Sequence, residues 1–280
     1  MVSPEAKKQA AAYVQETYKM SERWTFEIVG LNRSSGRYQN HSANNEALIE
    51  RIKALALERR RFGYRRIYCL LKREGYSVNR KKVYRLYRLA GLSVVRRKNR
   101  KKARGSRIAE QPATRPNQKW SMDFVFDQLS DGRRIKLMTL VDEFTRENLA
   151  VEAERSIKGV DVIRILEKVI AARGKPEEIQ SDNGSEFTCN AVLNWTHQHE
   201  INWRYIDPGK PTQNSYIESF NGKIRDECLN ENWFETLSEA KALIAIWKND
   251  YNETRPHSAL GGLSPSAFAK EVRKRFEKTG

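Results

Sequence analysis

Cysteine is scarce in this chain. Cys69, Cys189 and Cys228 stand far apart without a CxxC pair, so neither a disulfide framework nor a zinc ribbon can be drawn from them. Reduced, buried thiols are the expectation. Long apolar runs are missing as well: no stretch of about 18 apolar residues occurs, and the opening MVSPEAKKQ has no apolar leader core. Neither membrane spanning nor secretion is expected, and the expected compartment is the cytoplasm, on the nucleoid. No internal repeat is visible. Acid is short relative to base, with 35 Asp and Glu against 52 Lys and Arg and a net charge of +17. An excess of that size points to an acidic polymer as partner.

The excess is local. Residues 51–110 hold 22 Lys and Arg against 3 Asp and Glu, an excess of +19 that leaves the remaining 220 residues at about −2. With 39% hydrophobic residues, 280 residues suffice for a sizeable core and for two or three domains. Residues 4–18 read as a helix with Pro4 in its first turn, Ser21 starts a second reaching Val29, and Ser34 is placed to cap a third after the Gly30-Leu31-Asn32 turn. That order suggests a small helix-turn-helix in 1–40. Helical patterns follow at 45–60, 64–74 and 79–90, separated by Phe62-Gly63 and Gly75-Tyr76. In the last, Val83, Leu86, Tyr87 and Ala90 form an apolar stripe, while Arg80, Lys81, Lys82, Arg85 and Arg88 cover the other faces. Three basic helices in a row, with almost no acid to balance them, read as a surface for nucleic-acid phosphates. Tyr64, Tyr68, Tyr76, Tyr84 and Tyr87 fit core or rim positions better than base-stacking platforms. Arg96, Arg97, Lys98, Arg100, Lys101 and Lys102 repel one another and bury nothing, so they read as an extended linker that tracks phosphates or merely spaces domains.

After Trp120 the period changes to that of strands. Strand patterns at 119–129, 135–144 and 148–153 form a meander, followed by a helix at 157–173, a strand at 178–181, a helix at 189–200, a strand at 202–206 and a helix at 214–228. This is a mixed α/β sheet with helices on its faces. Three carboxylates mark it. Asp123 lies within a strand, Asp182 follows the next strand in a Ser-Asp-Asn-Gly turn, and Glu218 opens a helix after a gap of 35 residues. Hard oxygen ligands converging from separate elements suit Mg²⁺ or Mn²⁺ and phosphoryl transfer. Bland alternatives stand beside each: Asp182 can simply shape its turn, and Ser215-Tyr-Ile-Glu218 fits a capping box. Asp142 and Glu143 are rival strand-end carboxylates of structural type. His197 and His199, two apart on a helix, point to different faces and make a poor zinc site.

WSMDF, SDNGSEF and QNSYIESFNGKIRDECLN, in this order, resemble the Asp-Asp-Glu core of integrase-like insertion-sequence transposases, most closely the second-frame (OrfB) product of the IS-three family. The resemblance runs from about Ala43 through YNETRPHSALGGLSP. It implies a ribonuclease-H-like fold in which Asp123, Asp182 and Glu218 are catalytic and hold two Mg²⁺ or Mn²⁺ ions. It also implies divalent-metal-dependent cleavage and strand transfer on insertion-sequence DNA. Arg225, seven residues past Glu218 and hence on nearly the same helix face, would clamp a phosphate; otherwise it is a surface charge. Double-stranded DNA, further copies of the chain and an upstream-frame (OrfA) product, as partner or fusion, are the implied partners, with no membrane. The absence of the paired His and Cys module of retroviral integrases favours the bacterial branch. Ser215 departs from the small residue, usually Gly, expected after Asn214, which leaves the helix entry in doubt. The segments so defined are 1–40, helical; 41–95, basic and DNA-binding; 96–116, linker; 117–232, catalytic core; and 233–280, a helical tail whose Arg255 and His257 either touch DNA or pack on the core. A non-catalytic DNA-binding repressor and a ribonuclease-H-like nuclease are the rival readings.

Overall fold

A computed structural model describes residues 3–38, 45–94, 111–207 and 211–279, in two compact units, Met1–Arg51 and Ile52–Gly280. Arg96, Arg97, Lys98, Arg100, Lys101 and Lys102 lie outside the described residues. In the first unit, α1 (Pro4–Tyr18) begins at Ser3, whose hydroxyl accepts the Ala6 N–H at 3.2 Å, and α2 (Glu22–Ile28) is capped in the same way by Ser21. The cap of α3 (Arg33–Arg37) is Asn32 and not Ser34: Asn32 Oδ1 accepts the Ser34 N–H at 3.3 Å. Asn in the extended conformation reaches back over the helix start, and Ser34 already lies inside it. Ala11, Phe26 and Leu31 close this small core. Gly36 is obligatory there, because a Cβ would lie 2.5 Å from the Phe26 ring.

The long helix α4 (Glu46–Glu58) leads to α5 (Tyr64–Arg73) and α6 (Arg80–Leu89). Ile67, Leu70 and Leu71 of α5 are buried, as are Val83, Leu86 and Tyr87 of α6. Gly75, at φ +87°, takes the left-handed turn between the two helices, where a side chain would be strained. The tyrosines divide as their spacing suggests: Tyr87 is buried, while Tyr64 and Tyr84 pair at 4.8 Å on the rim.

The sheet consists of β1 (Lys119–Gln128), β2 (Arg134–Asp142), β3 (Asn148–Glu154), β4 (Glu178–Ser181) and β5 (Asn202–Tyr205), in the order β3-β2-β1-β4-β5. The meander β1-β2-β3 is antiparallel, and β4 and β5 run parallel to β1 and to each other, as in the ribonuclease-H-like fold. Helix α7 (Gly159–Arg173) provides the crossover. A short helix not expected from the sequence, α8 (Ser185–Thr188), follows the Asp182 turn, and the helix expected at 189–200 is α9 (Asn190–Gln198), which begins after the extended Cys189. Then come α10 (Ser215–Glu227), α11 (Leu237–Glu253) and α12 (Pro265–Thr279).

Alternation along β1 decides which side chains meet. Trp120 and Met122 face a core built with α7 and α9, including Ile165, Leu166 and Trp195. Val125 faces the opposite core, formed by Ile217, Phe220 and Ile224 of α10 and by Ile244, Trp247 and Tyr251 of α11. The period of two places Asp123 on the α10 side with Val125. The segment read as a C-terminal tail thus contributes α11 to the core. Arg255 and His257 take the packing alternative: Arg255 is 1% exposed and makes two 2.6 Å hydrogen bonds to Glu227, and His257 is buried beside it. Burial, and then the Arg255 charge, push the His257 imidazole down to about 2, so it is neutral at physiological pH. All three cysteines are free, and only Cys228 is fully buried; Cys69, on α5, and Cys189, in the extended link between α8 and α9, are half-buried, against expectation.

Candidate functional site

The parallel register brings the first two carboxylates together. Lys119 pairs with Glu178, Trp120 with Ile179 and Ser121 with Gln180, so two further residues along both strands set Asp123 beside Asp182, in step and on the same face. Asp182 leaves the sheet there, and its Oδ1 accepts the Gly184 N–H at 3.0 Å, so the turn role and the position at the strand mouth coexist in one residue. Asn183 donates to the Ile206 carbonyl at 2.8 Å, tying the turn to the end of β5. Glu186, on the short α8, pairs with Lys136 of β2, whose ammonium lies 3.7 Å from the centroid of the Phe124 ring. This pair anchors the segment after Asp182 on the far face of the sheet.

The third carboxylate comes from α10. Asn214 precedes the helix and no side-chain cap closes its start; Glu218 is exposed, with no hydrogen bond among the described residues. The capping-box alternative is therefore not realised. One turn further, Asn221 donates to Asp123 Oδ2 at 2.8 Å and accepts the Thr139 hydroxyl at 2.9 Å, while the same hydroxyl lies 3.0 Å from the Asp123 carbonyl. Asn221 was not singled out in the sequence, although its place three residues past Glu218, on a neighbouring face of one helix, was the available signal. Lys136 was missed too, despite being the one cation within the apolar run of β2.

Burial pushes the Asp123 carboxyl up to about 6, aided by the negative charges of Asp182 and Glu218 and opposed by hydrogen bonds from the Phe124 N–H and Asn221. The structure thus brings the three carboxylates into one electrostatic neighbourhood. Among the described residues no group of three His, Cys, Asp or Glu side chains is already arranged to hold a metal ion. The donor set nevertheless fits a hard cation. It is all oxygen and like-charged, and beside it Gln180 Oε1 and Asn214 Oδ1 are buried without a hydrogen-bond partner among the described residues. Glu218 is the member not held in place.

The rival carboxylates are structural. Asp142 is fully buried and accepts the N–H groups of Asn117, Phe144 and Thr145, and Glu143 pairs with Ser121. His199 stacks against Trp195 and meets its carbonyl. Arg225 is exposed, and its Nη2 donates to the Phe126 carbonyl at 2.9 Å, bracing α10 against β1 three residues beyond Asp123.

The basic helices are less unbalanced than their local sequence suggests. Arg59 pairs with Asp250 at 2.5 Å, Arg61 with Glu231 at 2.6 Å and Arg66 with Glu227 at 2.9 Å, while Arg73 donates to the carbonyls of Thr254 and Gly262. These partners lie far along the chain, beyond the reach of a local charge count. On α6, Arg80, Lys81, Arg85 and Arg88 remain exposed and Lys82 half-exposed.

Two family models described as integrase core domain match residues 113–211 and 199–265, and one described as HTH-like domain matches residues 43–101. The HTH-like match falls on the basic helices. The uncharacterized 31.7 kDa protein of insertion element IS407 from Burkholderia multivorans is 48% identical, over 93% of this chain and 94% of that protein. The transposase for insertion sequence element IS904 from Lactococcus lactis is 29% identical, over 84% of this chain and 98% of that protein. Among solved structures, a chain of the simian T-cell lymphotropic virus intasome superposes with a TM-score of 0.53 at 15% identity, covering 78% of this chain and 74% of that one. That likeness concerns the fold.

Proposed function

The chain belongs to the insertion-sequence transposases of the IS-three family, and from that premise we propose that Asp123, Asp182 and Glu218 cleave and join DNA strands at insertion-sequence ends. The observation that carries this reading is the gathering of charge at Asp123: the strand register sets Asp182 beside it, Glu218 comes from the overlying helix, and both charges add to the burial that raises its proton affinity. Like charges gathered in a partly buried site call for a cation. Asp123 and Asp182 would hold two divalent ions, Mg²⁺ or Mn²⁺, with Glu218 completing the second site. Bound there, such ions activate a water or a 3′-hydroxyl and neutralise the departing oxygen.

The chain's own residues supply the rest. Asn221 and Thr139 fix the rotamer of Asp123, and the Gly184 N–H orients Asp182. Glu218, exposed near the helix start, is free to turn toward a bound ion. Arg225 can exchange the Phe126 carbonyl for a phosphate oxygen beside the carboxylates. Arg80, Lys81, Lys82, Arg85 and Arg88 of α6 grip the phosphates of the element end, joined by Arg96, Arg97, Lys98, Arg100, Lys101 and Lys102. Double-stranded DNA is the partner, as element end and as target, with several copies of the chain assembled on it. An upstream-frame (OrfA) product serves as partner or fusion.

The test is to incubate the protein with labelled element ends in Mg²⁺ and in EDTA. Metal-dependent nicking followed by strand joining is the expected result. Binding without nicking would instead mark a repressor, and nicking without joining a nuclease. Two variants probe the supporting residues. Asn221→Ala should lower kcat by about 10- to 100-fold, the usual cost of losing a hydrogen bond that orients a metal ligand, with end binding unchanged; an unaltered kcat would leave Asn221 merely structural. Arg225→Ala should slow strand transfer by roughly 10- to 100-fold, corresponding to about 1.5–3 kcal/mol for a charged hydrogen bond, and Arg225→Lys should keep part of the rate. Equal rates for the wild type and the alanine variant would reduce the arginine to a brace for α10.

A further inference from the structure

On the other flank of α10, away from Glu218, positive charge accumulates without an adequate partner. Arg66, Arg146, Lys223 and Arg255 all act on the His257 ring, the three arginines act also on the Tyr251 hydroxyl and the Lys223 amine, and Glu227 is the carboxylate among the groups acting on those two. Glu227 is already committed: Arg255 takes both its oxygens at 2.6 Å and Arg66 takes one at 2.9 Å. Arg146 and Lys223 are left over. The Arg146 guanidinium lies 3.9 Å from the centroid of the Tyr216 ring, and its Nη1 is buried with no hydrogen-bond partner among the described residues. The backbone of Arg146 is left-handed, at φ +62°, and the turn is secured by its own N–H to the Asp142 carbonyl and by Asp142 Oδ1 with the N–H groups of Phe144 and Thr145. A strained backbone that holds a guanidinium with an unsatisfied buried donor is a feature to be explained by function rather than stability. Lys223 is half-buried, seven residues past Tyr216 and on the same helix face, and it has no ion pair among the described residues. Burial and the neighbouring Arg255 charge lower its amine to about 8.

We propose that Arg146, set over the Tyr216 ring, and Lys223, on the same face of α10 and backed by the Arg66–Glu227–Arg255 network, form a binding subsite for a phosphate-type oxyanion. The guanidinium offers a donor fork that matches two oxygens, the ammonium offers a mobile point charge, and Glu227, held by its arginines, is kept from competing. An oxyanion there gives the guanidinium and the ammonium a counter-charge. The anion is either a free phosphate or a phosphodiester of bound DNA. The inference does not depend on the catalytic reading, since it concerns the opposite flank of α10.

The experiment is thermal unfolding of the full chain in sodium phosphate and in sodium chloride at matched ionic strength. Phosphate should raise the Tm above that in chloride by about 3 °C once it is well in excess of its Kd. Lys223→Met and Arg146→Gln should each remove that excess, while Lys168→Ala, an exposed lysine on α7, should keep it. Because Lys223→Met removes an uncompensated charge, it should fold and match or exceed the wild-type Tm in chloride. No phosphate excess in the wild type, or an excess that survives in both variants, would overturn the proposal. Binding of a DNA duplex as a function of salt then separates the two sources. A slope of log affinity on log salt that is shallower by about 0.9 in Lys223→Met assigns a DNA phosphodiester, and an unchanged slope with phosphate sensitivity intact in the wild type assigns free phosphate.

Discussion

Asparagine in place of Asp123 should silence strand transfer and at the same time raise the melting temperature of the metal-free protein. The loss of activity follows from the charge. The amide keeps the shape of the side chain but contributes no negative oxygen, and a ligand interaction worth several kcal/mol, at about 1.4 kcal/mol per decade, corresponds to a fall of three orders of magnitude or more. Asp182→Asn and Glu218→Gln should fall as far. The gain in stability follows from burial and crowding, because a carboxyl that titrates near 6 rather than 3.8 is held ionised at neutral pH against burial and the charges of Asp182 and Glu218. The folded state binds the proton more tightly than the unfolded chain does. The contribution of Asp123 is therefore most favourable below its unfolded value and is lost as pH rises through about 6, so the advantage of Asp123→Asn should grow between pH 4 and 6 and level off above. Mg²⁺ or Mn²⁺ should raise the wild-type Tm at neutral pH and leave the variant unmoved. Wild-type strand transfer by any of the three variants would remove that residue from the site.

Glu227→Gln should be the most destabilising single change away from the carboxylates. It keeps volume and hydrogen-bonding capacity but strips the counter-charge from Arg255, which is 1% exposed and cannot turn to solvent, and from Arg66. Breaking a buried pair from one side costs about 3–5 kcal/mol, because the remaining charge stays buried without compensation. Urea unfolding would show this as a lower midpoint. A loss below about 1 kcal/mol, the scale of an exposed pair, would mean that water reaches Arg255 and that the network is not the tie between α5, α10 and the end of α11 that its geometry indicates.

Much of this molecule is local. The change of period after Trp120, the turn residues around Asp182 and the stripes of α5 and α6 each depend on neighbours within a few positions, so strands and helices were legible to within a few residues. The short α8 was not, because four residues are about one helical turn and leave no period to read before the extended Cys189. The motif named the three carboxylates, yet only the parallel register of β1 and β4 shows why the first two lie in step, and only α10, packed through Ile217, Phe220 and Ile224, brings Asn221 onto Asp123. Charge behaves differently from periodicity. By itself the sequence determined how many cations residues 51–110 carry and the order of the main elements, and it singled out three carboxylates. The tertiary structure alone decided which cations are already paired, since Arg66 meets Glu227 across 161 positions and Arg59 meets Asp250 across 191. The physical reason is one of range. A backbone hydrogen-bond pattern is set within a turn or a strand, whereas an ion pair exists only where packing brings two distant side chains to within about 4 Å.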